Sequence, residues 1–337
     1  EDGIRDGPQC LVGSEMCIRD SLGIPRPDIN LGLGSNLEGS ATGAMMVALQ
    51  PALAELRPDC VVVVGDVNSA MAAALSAVRL GLPCVHVEAG LRSFDRSMPE
   101  EINRLVTDRV ADLLLTPSPD ADENLVAEGI AKNTIRRVGN VMIDTLLTQL
   151  ERARERRAFE QHGLEPKSYA LATLHRPSNV DDPATLGSLL DSLEWVQQRI
   201  PVAMPLHPRT RNRLDAFGMM ERVRAMPKLE LIEPLGYLDF LSLTDGSEFV
   251  LTDSGGLQEE TTVLGIPCLT LRACTERPVT VSVGTNTVVG SDPAAIRSAV
   301  DAILDGRVKH GGIPELWDGR ASQRAATAIM DFLIGER

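Results

Sequence analysis

The sequence is short of the features that identify several large protein classes. Its six cysteines, at 10, 17, 60, 84, 268 and 274, form no Cys-x-x-Cys pair and no Cys/His cluster at metal-ligand spacing. Cys60, Cys84 and Cys268 sit in apolar runs and read as small buried hydrophobes, a usage that fits a reducing cytoplasm better than secretion. No stretch approaches the roughly 18–20 apolar residues of a membrane span, and the N-terminus lacks the apolar core of a signal peptide. Positive charge is also scarce: the formal net charge is -14. That argues against non-specific nucleic-acid binding and against docking on an anionic membrane. Local binding of a phosphate stays open, because helix N-termini and a few arginines suffice for it. No Walker A sequence and no G-x-S-x-G is present. The glycine-rich GLGSNLEGSATG (32–43) lacks the third glycine and the downstream acid of a dinucleotide fingerprint. The expectation is a soluble, cytoplasmic protein with no metal, no cofactor, no nucleic acid and no membrane partner.

What is present is regular alternation. With 337 residues, 43% hydrophobic and 24% charged, the chain is long enough for two domains with a sizeable core each. Residues 1–21 show no periodicity and are expected to be disordered or foreign to the fold. CVVVVGD (60–66) predicts a strand buried on both faces, NSAMAAALSAVRLG (68–81) a helix, and PCVHVEAG (83–90) the next strand. PEEINRLVTDRVADL (99–113) predicts a helix packing Ile102, Leu105, Val106, Val110 and Leu113 inward. LLLTPS, ADENLVAEG and TIRRVGN continue the series, and residues 141–163 read as one long, increasingly charged helix that marks a domain boundary. A second series has strands in YALATLHR (169–176), VAMPLHP (202–208), LELIEPL (229–235), EFVLTDSGG (248–256), IPCLTLR (266–272) and TNTVVG (285–290). Helices follow near 183–199, from 257, near 293–305 and at 321–335. The fold class expected is α/β, two doubly wound, mostly parallel Rossmann-like domains with the ligand at strand carboxyl ends in the cleft between them.

Several connections carry chemistry. LTDSGGLQEE (251–260) ends a strand in a Ser-Gly-Gly turn and opens a helix. There the backbone of Gly255 and Gly256 can approach an anion, and a carboxylate one turn in can accept from ribose hydroxyls. The competing reading is an ordinary turn whose glutamates favour the helix dipole. HRPSN (175–179) and LHPRTR (206–211) each put a histidine after a strand, beside Arg176 and Arg209, as phosphate donors or acid/base groups. TERPVTVSVGTN (275–286) offers Arg277 as a bidentate fork for a diphosphate, or as the partner of a surface acid. Asp66 ends the most apolar strand and either caps the next helix or works in a cleft. Glu100 fits a Ser97-x-x-Glu100 capping box and is an i, i+4 partner of Arg104. Glu88, on a strand expected to be buried, has no such structural explanation.

Taken together, GD (65–66), HVEAGLRS (86–93), PEEINR (99–104), HRPSN, TDSGGLQEE and TERPVTVSVGTN resemble the non-hydrolysing UDP-N-acetylglucosamine 2-epimerase family over essentially all of residues 22–337. The resemblance implies the glycosyltransferase-B architecture, with domains over 22–160 and 161–318 and a C-terminal helix (319–337) crossing back to the first. It implies interconversion of UDP-GlcNAc and UDP-ManNAc through elimination of UDP to 2-acetamidoglucal, and it implies a homodimer. It also implies that Ser254, Gly255, Gly256 and Arg277 hold the diphosphate, Glu260 the ribose and Phe240 the uracil. His175 would reach the phosphates or the sugar, His207 would be a lesser contact, and Asp66, Glu88 and Glu100 would supply the acid/base groups. Leu235, five positions before Phe240, stands where some relatives carry a polar residue.

One departure stands out. The family's opening Gly-Thr-Arg-Pro-Glu motif, with its substrate-binding arginine and a following lysine, has no match in residues 1–31. The first domain is therefore expected to be N-terminally truncated, with residues 1–21 joined on as unrelated sequence. Two alternatives follow: a glycosyltransferase of the same architecture, or an inactive UDP-sugar-binding fragment.

Overall fold

The structure, a computed structural model, describes residues 22–33 and 41–335. Residues 1–21, with the expectations attached to them, and most of the glycine-rich stretch 32–43 lie outside the described residues. The chain forms two compact units, one holding Arg26–Asp144 and Glu315–Arg337, the other Thr145–Pro314. No helix among the described residues is long and apolar enough to cross a membrane.

The first unit is built on four parallel strands, β1 (Val61–Val64), β2 (Cys84–Val87), β3 (Leu113–Thr116) and β4 (Ile135–Arg137), in the order β1-β2-β3-β4. β2 and β3 are buried along their whole length, as their unbroken apolar runs require. Val85, Val87, Leu113 and Leu115 pack against Ala325, Ile329 and Phe332 of the helix Ala321–Gly335. On the opposite face Cys84 meets Ala70, Ala74 and Ala77 of the helix Asn68–Arg79. β1 departs from expectation, with Val62 and Val64 45% and 52% exposed. Among the described residues it pairs only with β2, and the cluster around Ala325 does not extend to it.

A larger departure is the helix Pro99–Val110. Its buried residues are Glu101, Asn103, Arg104, Thr107 and Asp108, whereas Ile102, Leu105, Val106 and Val110 are only half-buried. The expected apolar face is thus only partly covered, with Val110 packing on the cluster around Val63, Ala70 and Cys84, and the deepest face of the helix is a polar one. The inward face is polar because it meets charged partners on the β1 and β2 connections rather than a hydrocarbon core.

The second unit has six parallel strands, β5 (Ala170–Thr173), β6 (Val202–Pro205), β7 (Leu229–Ile232), β8 (Phe249–Thr252), β9 (Cys268–Thr270) and β10 (Asn286–Val288). Their order, β10-β9-β8-β5-β6-β7, reverses direction between β5 and β8. The segments leaving those two neighbouring strands diverge, which opens a crevice at their carboxyl ends. HRPSN follows β5 and TDSGG follows β8. The continuous helix expected over 141–163 stops at Arg156. Arg157 takes a left-handed backbone (φ 45°), and a 3₁₀ turn, Ala158–His162, then carries Phe159 into the core beside Tyr169, Leu171 and Leu243. Helices Ala41–Leu56, Pro208–Ala216 and Tyr237–Gly246 are not signalled by the apolar periodicity.

The C-terminal segment is tied to the first unit by polar as well as apolar contacts. The buried Trp317 donates from Nε1 to the Pro117 carbonyl at 2.9 Å, and Arg324 donates to the Val138 and Leu316 carbonyls at 2.6 and 2.7 Å. Trp317→Ala is expected to destabilise that unit by about 3–5 kcal/mol in urea unfolding, because a large buried ring and its hydrogen bond are lost together.

Candidate active site

In the first unit, a buried arginine organises the carboxyl end of the sheet. Arg104 donates to Glu101 from Nη2 and Nε at 2.7 and 3.1 Å, to Ser93 Oγ at 3.3 Å, and to Asp66. Asn103 donates to the Asp66 carbonyl at 2.8 Å and to Asn68 at 2.9 Å. Asp66 therefore does not cap the following helix, whose N-cap is Val67 with no side-chain hydrogen bond. Glu101, 2% exposed, accepts from Ser93 N, Ser93 Oγ and Phe94 N at 2.9, 2.9 and 3.0 Å. Burial pushes its carboxyl up, but those N–H donors and Arg104 hold it below the usual carboxylate range.

Glu88 lies at the end of β2 with φ 69°, a left-handed backbone that side-chain-bearing residues seldom adopt. A Cβ on Gly65 would stand 3.4 Å from Glu88 Oε2, so this carboxylate lies against the turn that carries Asp66. Glu100 occupies the first turn of the Pro99–Val110 helix and is half-buried. The expected capping box does not form. Met98 is the N-cap, and Ser97 turns back to donate to Asp95 Oδ1 from N and Oγ at 3.0 and 2.6 Å. Asp66 and Glu88 thus converge on one turn, with Arg104 as the cationic counterweight.

In the second unit the organiser is Asp253, wholly buried after β8. It accepts from His175 N (2.9 Å), Arg176 N (2.9 Å) and Asn179 Nδ2 (3.1 Å), and its Oδ1 lies 2.6 Å from His175 Nδ1. Burial opposes its charge, yet His175 and the backbone donors keep it below the usual range. One carboxylate thus ties HRPSN to TDSGG across the crevice between β5 and β8. The His207 ring lies 5.5 Å from that of His175. Burial, followed by the neighbouring His175, pushes His207 down to about 4, so it is neutral at physiological pH. Its Nδ1 accepts from Arg209 N at 3.1 Å, which leaves the proton on Nε2. That buried Nε2 has no hydrogen-bond partner among the described residues. Asp181 holds the two histidine loops in place by accepting from Arg209 Nε at 3.0 Å and Arg213 Nε at 2.9 Å.

Arg277 is anchored by buried acids rather than by a surface one. Its Nε lies 2.9 Å from Glu259 and its Nη1 donates to Glu276 at 2.8 Å. Glu276 also meets Arg272 at 2.8 Å and Arg176 at 3.8 Å. Despite burial, these cations lower its carboxyl to about 2. A Cβ at Gly255 would come within 2.6 Å of Glu276 and 2.8 Å of Arg277, whereas one at Gly256 would meet open space. A side chain at Gly255 would have to displace the ends of Glu276 and Arg277 at the N-terminus of helix Gly255–Leu264, and Ser254 is that helix's N-cap. Glu260 is buried and accepts from Tyr237 Oη at 3.0 Å. Phe240 is 8% exposed and packs with Leu243, Leu257 and Ile232.

Sequence motifs therefore mark the loops, but several of their organisers carried no functional expectation. Asp253, Glu101 and Asp108 are the main omissions. A polar repeat at 101, 104 and 108, one helix face by spacing, was the available signal.

A family model described as UDP-N-acetylglucosamine 2-epimerase matches residues 13–330, beginning before Leu22, where the resemblance was expected to start. The UDP-N-acetylglucosamine 2-epimerase of Methanocaldococcus jannaschii is 42% identical over 291 residues, covering 85% of this chain and 80% of that protein. The UDP-2,3-diacetamido-2,3-dideoxy-D-glucuronate 2-epimerase of Pseudomonas aeruginosa is 39% identical, covering 91% and 84%. The crystal structure of the Methanocaldococcus jannaschii UDP-GlcNAc 2-epimerase in complex with UDP-GlcNAc and UDP matches with a TM-score of 0.86 at 38% identity, over 94% of this chain and 88% of that one. The fold class is α/β of the glycosyltransferase-B type.

Glu260 supplies a test of these electrostatics. Burial raises its carboxyl to about 7 in the folded chain, above its ordinary value of 4.5. Between those values the native state binds the proton and the unfolded state does not, so stability falls as pH rises through this window. Glu260→Gln removes that loss. Its stability relative to wild type is expected to climb between pH 5 and pH 8 by an amount on the order of 3 kcal/mol, read from urea unfolding at each pH.

Proposed function

Because the chain belongs to the UDP-N-acetylglucosamine 2-epimerase family, we propose that it interconverts UDP-GlcNAc and UDP-ManNAc. A carboxylate of the first unit takes the C2 proton while the C1–O bond breaks and UDP leaves with the bonding pair. The sugar becomes 2-acetamidoglucal. A proton then returns to C2 on the opposite face and a UDP oxygen re-adds at C1. The carrying observation is the convergence of Asp66 and Glu88 on one turn, Glu88 in a left-handed backbone and Asp66 paired to buried Arg104. Fixed carboxylates of this kind suit proton transfer at a weakly acidic carbon. Asp66, Glu88 and Glu100 are the acid/base set.

The second unit carries the leaving group. The Ser254 hydroxyl, the backbone N–H groups of Gly255 and Gly256, the positive guanidinium of Arg277 and the neutral Nε2–H of His207 are donors or charges suited to a diphosphate, with His175 beside them. Glu260 accepts from the ribose hydroxyls and Phe240 backs the uracil. The crevice at the β5/β8 reversal supports this division, since ligands of such sheets bind at that point.

The test is turnover of UDP-GlcNAc in heavy water. UDP-ManNAc carrying deuterium at C2 is the expected product, and binding of UDP without exchange would sink the reading. UDP-2,3-diacetamido-2,3-dideoxy-D-glucuronate, run in parallel, checks the sugar, and preferential turnover of it would reassign the substrate. Glu88→Gln is expected to abolish exchange while UDP binding by calorimetry stays as in wild type. Unchanged exchange would make Glu88 a structural residue.

A further inference from the structure

His86 sits in the middle of β2, wholly buried, two residues before Glu88. Both of its ring nitrogens face acceptors. Nδ1 is 2.6 Å from Oδ1 of Asp108, and Nε2 is 3.0 Å from the carbonyl oxygen of Gly65. A backbone carbonyl can only accept. Asp108 is likewise an acceptor, because its other oxygen meets the Arg92 guanidinium at 2.7 Å and takes the Gly90 N–H at 3.1 Å, as an ionised carboxylate does. Each contact therefore needs an N–H, and a neutral imidazole has only one. A neutral ring would set a lone pair against an oxygen lone pair at a side chain buried from bulk solvent.

We infer that His86 is held as a buried imidazolium and acts as a positioning residue, fixing the turn that presents Asp66. Gly65 immediately precedes Asp66, so the bond to its carbonyl pins the peptide on which that carboxylate hangs. The charge is balanced locally. Asp108 Oδ2 accepts from Gly90 N at 3.1 Å and pairs with Arg92 at 2.7 Å, and Arg92 in turn pairs with Glu128 at 2.7 Å. Asp108 thus holds the β1 turn through His86 and the β2 connection directly at Gly90, two residues after Glu88. A proton transfer between two carboxylates and one carbon depends steeply on such spacing. The inference rests on the acid/base reading of Asp66, and its test separates the two.

His86→Asn keeps an amide N–H toward Asp108 but leaves the Gly65 carbonyl without a donor. His86→Gln, one methylene longer, can return an N–H to Gly65. His86→Asn is expected to lower kcat for epimerisation about 100-fold with KM for UDP-GlcNAc unchanged, and His86→Gln to recover about tenfold of that loss. In wild-type protein at pH 8, nitrogen-15 NMR is expected to show a ring with protons on both nitrogens, assigned to His86 by through-bond connectivity. A neutral tautomer at pH 8 overturns the inference, as does wild-type kcat in folded His86→Asn, or equal loss in both variants. If wild-type protein fails to exchange at C2, the epimerase reading fails, and the ring measurement still decides this one.

Discussion

A carboxylate removed from water stays charged only if donors meet it, and in this protein that constraint shapes both units. Asp253 is wholly buried and satisfied by the backbone N–H groups of His175 and Arg176, by Asn179 and by the His175 ring. Asp108 is satisfied by His86, Gly90 and Arg92, and Glu101 by Ser93, Phe94 and Arg104. None of these three is itself a candidate for contact with substrate. Each costs desolvation on burial and offsets it by drawing a loop into one conformation. The loops so held are those that carry Asp66, Glu88, His175 and Ser254.

The sheets decide where those loops emerge. In the second unit the reversal of strand order between β5 and β8 separates the flanking helices and brings HRPSN and TDSGG side by side. Asp253 spans them, while Asp181 spans the β5 and β6 loops through Arg209 and Arg213. In the first unit β1 and β2 are direct neighbours in register, Val64 opposite Val87, so the residues just beyond them, Asp66 and Glu88, are brought together. Parallel register is the geometric reason that two acids separated by a whole helix in sequence share one turn.

Buried arginine clusters follow the same rule with the signs reversed. Arg277, Arg272 and Arg176 surround Glu276, and Glu259 takes the other side of Arg277. The acids hold the guanidinium against Gly255 at a helix N-terminus, which sets a fixed cation beside the positive end of the helix dipole. A side chain at Gly255 would occupy that place.

The strands, several of the helices between them, the two doubly wound units and the loops bearing chemistry were legible in residue order alone, because apolar runs and strand-end Gly, His and Asp report directly on local structure; the helices Ala41–Leu56, Pro208–Ala216 and Tyr237–Gly246 were not. The family was legible too, through motifs at loop positions. Packing direction was not. The apolar repeat Ile102, Leu105, Val106, Val110 marks a half-buried face, whereas the fully buried face is polar, since only the assembled sheet shows that Arg104 and Asp108 meet acids and a histidine inside. Ser97 and Glu100 fit a capping box that Asp95 pre-empts by taking the Ser97 hydroxyl. His86 read as one more strand residue, because its meaning lies in two acceptors, 21 and 22 positions away, that only parallel pairing and the helix crossover bring to its ring. Sequence by itself determined which elements form and which side chains are available. Tertiary structure decided which carboxylates are buried, what satisfies them and hence which loops are rigid, since those depend on contacts between residues far apart in the chain.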